Sequence, residues 1–102
     1  MLKIAEVYKK QTRLVSERPD GSEFVHFAKQ FATRDVLINP DYVVAVHPHE
    51  FAAERDLQDV GAAFPEGTKF STFILDGNSF RSSEMIVVGS FDRFCQLLED
   101  AP

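Results

Sequence analysis

The chain has 102 residues, the length of one domain, with a formal net charge of −5, 44% apolar residues and ten Phe. Such apolar content excludes an intrinsically disordered chain; no apolar run approaches the roughly 18 residues of a membrane span, and Met1–Lys10 has no signal-peptide apolar stretch. A compact monomer of this mass exposes about 5,800 Å², which suits one small core spanning residues 1–102 and excludes a cofactor domain beside a substrate domain.

In chain order, the apolar-containing runs Leu2–Tyr8 and Arg13–Glu17 lead into Arg18-Pro19-Asp20-Gly21. Pro presets φ at the second position of a turn and Asp-Gly tolerates positive φ, so this segment reads as a turn that favours a hairpin. The next segment is open. Phe24, Phe27, Ala28 and Phe31 have helical spacing. Val25, three Phe and a His have poor helix propensity. A helix over about 22–32 and a long strand both fit; the spacing favours the helix, with Ser22 as its N-cap.

Val36–Ile38 reads as a short strand, Asn39-Pro40-Asp41 as a turn, and Tyr42–His47 as a buried strand that Pro48 stops. Glu50–Gly61 reads as a short helix with Ala53, Leu57, Val60 and Phe64 near one stripe, leaving Phe51 off it. Lys69–Leu75 is a strand, Asp76-Gly77-Asn78 a hairpin-type turn with Ser79–Arg81 starting the return, and Met85–Val88 another strand. Ser90 caps a last helix whose apolar face is Phe91, Phe94, Cys95, Leu97 and Leu98. A helix this short cannot hold alone and has to dock on a sheet. The expected fold is α+β: a small, mostly antiparallel sheet with the C-terminal helix docked on it and one or two further short helices.

The chemistry-bearing residue types do not assemble into a recognisable catalytic or metal motif. His47 and His49 share one side of an extended strand, but no further ligands stand at metal-site spacing, and ordinary histidines at a strand exit are the better reading. No nucleophile elbow surrounds Ser79, Ser82, Ser83 or Ser90, and no glycine pair has phosphate-loop spacing. Glu54, Asp56 and Asp59 read as a solvated helix face. Cys95 is unpaired, which argues for the cytoplasm, and it sits as a small apolar residue in a helical stretch. No enzyme activity, cofactor or metal is expected.

Charge is uneven: seven basic and seven acidic residues cancel over 1–51, whereas 52–102 holds four basic and nine acidic ones. The basic cluster Lys9, Lys10 and Arg13 is a thin footprint for a phosphate backbone, so nucleic-acid binding is the alternative reading and not the leading one.

Asn39, Pro40, Asp41, Val43 and Val46, then Leu75, Asp76, Gly77 and Phe80, then Ser90, Asp92 and Leu97 follow one another as a strand–NPD-turn–strand unit, a strand–DG-turn–strand unit and a capped helix. Over residues 36–99 this order resembles the small FlbD-like, swarming-motility type flagellar accessory proteins and similar compact phage and bacterial proteins. The chain departs from their pattern by about 34 added residues in front and by the segment His47–Thr68 between strands. The resemblance implies a non-enzymatic accessory protein. The leading expectation is an intracellular module acting through a protein partner or self-association, with Phe51, Arg55, Asp56, Asp59 and Phe64 of the added segment as its surface. Phe51, off its stripe, is expected to be exposed.

Overall fold

A computed structural model of the chain describes residues 1–76 and 84–99. The elements are β1 (Leu2–Glu17), β2 (Glu23–Ile38), β3 (Val43–His49), α1 (Glu54–Ala63), β4 (Phe70–Leu75), β5 (Glu84–Val88) and α2 (Phe91–Glu99). The strands form one antiparallel sheet in the order β2-β1-β5-β4-β3, so the described chain is mixed α+β. No helix among the described residues is long and apolar enough to cross a membrane.

The segment 22–32 is strand, not helix. It belongs to β2, which pairs with β1 along its full length, from Leu2 opposite Ile38 to Glu17 opposite Glu23. The apolar residues that mimicked a helical stripe lie on both faces of the ribbon, Phe24 and Ala28 on one and Phe27 and Phe31 on the other. The local turn decides the matter. The Gly21 amide donates to the Arg18 carbonyl at 2.9 Å with φ +88° at Gly21, and Asp20 accepts from the Ser22 amide and hydroxyl at 2.9 and 2.6 Å. Ser22 thus closes a hairpin and caps no helix. Once the chain reverses there, β-branched and aromatic residues find cross-strand partners that a helix would not give them.

Other local readings keep their element type with shifted bounds, except that Tyr42–His47 is not a buried strand: β3 lies at the sheet edge, has no buried residue, and its Val44 is 70% exposed. The Asp41 amide donates to the Asn39 side chain at 3.1 Å, starting a 3₁₀ turn over Pro40–Tyr42. Ser90 caps α2, its hydroxyl accepting from the Arg93 amide at 3.2 Å. Pro48 does not stop β3, which runs on to His49; β3 is an edge strand, where a missing backbone donor is tolerated. Leu57 is exposed rather than on a buried stripe, and no residue of α1 is buried. Gly77, Asn78 and Ser79–Arg81 lie outside the described residues.

Alternation along the strands gives the sheet two faces. Ile4 and Ile38, on one of them, cluster with Phe73, Leu75, Val87 and Phe94, all at most 4% exposed; this is the core face. Phe94 of α2 stands edge-on to Phe73 at 4.9 Å between ring centres. The other, front face faces α1, where the Lys9 ammonium meets Asp56 at 3.0 Å.

The molecule is far from a sphere. β1 meets β5 only at Glu6 and Val7, so beyond these residues the β1–β2 hairpin leaves the sheet as a two-stranded arm. The Cα radius of gyration is 17.3 Å and the longest extent 64 Å. About 13 Å is expected of a compact chain of this length. The accessible surface is 7477 Å², roughly 1,700 Å² more than a compact monomer of this mass exposes.

Candidate functional site

The front face carries an aromatic cluster at the root of the arm. Phe51 lies between Phe31, His49 and Phe70, at 5.3, 4.6 and 5.2 Å between ring centres, and Phe64 stands edge-on to Phe70 at 5.1 Å. His49 also shares a hydrogen bond with the Thr72 hydroxyl at 3.1 Å. Phe51 is therefore half-buried and turned inward, contrary to the expected exposed contact residue. The physical reason is its place in the connection between β3 and α1, where helical stripe geometry does not apply.

The five residues singled out from the sequence part company here. Phe51 and Phe64 converge on Phe70 and hold the connections around α1 against the sheet. Asp56 pairs with Lys9, and Asp59 lines a small concavity with Phe31 and Ala63. Arg55 points to solvent. The outward strip of α1 is instead Glu54, Leu57, Gln58 and Gly61, all exposed and spaced to share one side of the helix.

Beyond α1 no other described element covers the front face of the arm. Val15 and Val25 sit directly opposite one another at 56% and 47% exposed, and Phe27, the next residue along that face of β2, is 61% exposed. Phe27 is opposite Arg13, and Lys29 is opposite Gln11. The result is an apolar patch edged by cations. Among the described residues the strongly exposed Phe is thus Phe27, not Phe51. Its signal was present in the sequence as the alternation Val25, Phe27, Lys29, and the helical reading hid it.

The arm's other face carries His26, stacked on Phe24 at 5.3 Å, with its Nδ1 buried and without a hydrogen-bond partner. At the tip, the Ser22 hydroxyl and then its amide hold the Asp20 carboxyl below its ordinary range. On α2, burial, then Glu99 and Asp92, push the Cys95 thiol up, away from the thiolate form a nucleophile needs.

A concavity of about 510 Å³ is a groove between the end of β3, α1 and the start of α2, lined by His49, Phe51, Leu57, Lys69 and Asp92 among others. Its one imidazole is the half-buried His49 already bonded to Thr72. No three His, Cys, Asp or Glu side chains among the described residues lie close enough to hold a metal ion. Compared with protein-family models, with curated proteins and with solved structures, the chain has no match.

Proposed function

We propose that the chain is a small, non-catalytic interaction module of the cytoplasm that grips a protein through the front face of its arm. The single observation that carries this reading is the exposure of Val15, Val25 and Phe27 together on a ribbon that the other described residues leave uncovered. An isolated two-stranded ribbon is marginal in water, and an apolar patch on one is a cost unless something covers it. Aromatic and Arg anchors beside one another, as in Phe27 and Arg13, are the residue types that dominate protein interfaces. The arm needs a firm base for this, and in this reading α2 docks on the sheet through Phe94 to provide it. An accessory role also agrees with the resemblance to FlbD-like proteins.

The test is a photo-reactive phenylalanine analogue at position 27 in the producing cells. A protein adduct from position 27, absent from the same analogue placed at the core residue Phe73, is the expected outcome. Failure to trap any protein from position 27 would refute the reading.

A second reading has its own observation. Arg13 beside Phe27, and Lys9 over the Phe31 ring at 5.1 Å, interleave cations with aromatics on a ribbon, a shape that a DNA major groove admits. Lys9 is already paired with Asp56, which thins the cluster. Duplex binding that falls steeply with added salt would favour this reading over the first.

A further inference from the structure

Two surfaces on the front side lack cover, the arm and the outer strip of α1, and each has what the other needs. The arm, residues 9–31, holds five basic residues (Lys9, Lys10, Arg13, Arg18, Lys29) and three acidic ones (Glu17, Asp20, Glu23), an excess of two positive charges. The remaining residues hold six basic and thirteen acidic side chains, an excess of seven negative charges. α1 presents Leu57, 52% exposed, between Glu54 and the bare backbone of Gly61. It is also a poorly supported helix: no buried residue, no side-chain hydrogen bond at its Ala53 N-cap and no basic residue in its last turn. A helix of ten residues without cover is marginal by itself.

One chain cannot bring these two surfaces together. α1 sits over Lys9 and Phe31, whereas Val15 and Val25 lie six residues further along each strand, roughly 20 Å away on the same ribbon. We infer that the arm's occupant is a second copy of this chain, in a two-fold dimer where α1 of each copy lies on the outer arm of the other. This deepens the reading above, on which it rests, by naming the partner. Leu57 meets Phe27, Val15 and Val25; Gly61 lets the ribbon approach; Glu54 faces Arg13 and Lys29. The contact is mutual, so it closes at two copies and leaves no end for further growth.

The experiment uses the full chain in a Cys95→Ser background. Sedimentation over about 1–100 μM is expected to show a dimer whose fraction rises with concentration. Phe27→Asp and Leu57→Asp, both at exposed positions, should each weaken the dimer by roughly tenfold or more with unchanged circular dichroism. Differently tagged chains carrying Phe27→Cys and Leu57→Cys are then mixed and mildly oxidised. A mixed disulfide outnumbering both same-site products is the expected result. A monomer throughout the range overturns the inference while leaving contact with a foreign protein, read by the position-27 adduct, intact. A dimer crosslinked only between like positions overturns the seating of α1 on the arm. A dimer that disappears on nuclease treatment overturns the inference in favour of nucleic acid.

Discussion

Gly89 joins β5 to α2 at φ +141°, and a Cβ built on it falls 2.6 and 2.7 Å from Cε2 and Cζ of the Phe94 ring. Neither side can give way cheaply. The Gly89 amide donates to the Lys69 carbonyl at 2.9 Å, and its own carbonyl accepts from the Ser71 hydroxyl at 2.8 Å. The ring is 2% exposed and backs onto Phe73, which is fully buried. Gly89→Ala therefore combines a backbone conformation that costs about 1–3 kcal/mol for a non-glycine residue with overpacking of about 1–3 kcal/mol. A loss near 4 kcal/mol is a large part of the roughly 5–15 kcal/mol such a chain has, and lowers Tm by roughly 15–30 °C. Urea unfolding followed by circular dichroism reads it as a midpoint about 2 M lower, at a slope near 2 kcal/mol per M. Gly61→Ala, made beside Phe27→Asp so that the inferred dimer does not enter, is the control: nothing lies within 4 Å of its added Cβ in the single chain, and it sits in α1. It should stabilise by about 0.5–1 kcal/mol. In a Phe94→Leu background, which removes the two closest ring atoms, the cost of Gly89→Ala should shrink by about 1–3 kcal/mol. A loss below about 1 kcal/mol in the parent, or an undiminished loss beside Leu, would refute the wedging of Phe94 beneath Gly89.

Phe51→Ala should cost about 2 kcal/mol in thermal or urea unfolding, because it removes a half-buried ring that touches Phe31, His49 and Phe70; no loss would mean the cluster is not packed as described. His26→Phe should stabilise by about 1 kcal/mol, since it removes a buried nitrogen without a partner while keeping the stacking on Phe24; a destabilised variant would show that Nδ1 is satisfied. At the hairpin tip, Asp20 is held below its ordinary range, so its bonds to Ser22 strengthen the turn above that range and are lost as pH falls through the lowered value. The Ser22 amide resonance should report that midpoint in an acid titration, and Ser22→Ala, which removes the hydroxyl bond and keeps the amide one, should raise it part of the way toward the ordinary carboxylate range; an unchanged midpoint would sink the assignment.

Residues acting on their immediate neighbours could be read without a fold. Asp20 and Gly21 make the hairpin turn, Asn39 starts the 3₁₀ turn, and Ser90 caps α2, each through hydrogen bonds spanning two or three residues. The β-branched runs ending in Leu75 and Val88 became strands for the same local reason. Segment 22–32 could not be decided that way, because its apolar spacing suits a helix and its side chains suit a strand. Sixteen residues of β1 as a partner settled it, and pairing between strands is a long-range choice. The same choice turned Phe51 inward and Phe27 outward. Whether an aromatic is covered depends on what the chain folds across it: β2, β3 and β4 each bring a ring to Phe51, whereas the outer arm extends past every other element of the described chain. Composition and local bonding thus determined that this chain makes turns, caps, strands and one small core. Only the tertiary structure decided that the outer part of the β1–β2 ribbon stands clear of that core, because the length by which β1 and β2 outrun β5 appears in no stretch of sequence taken by itself.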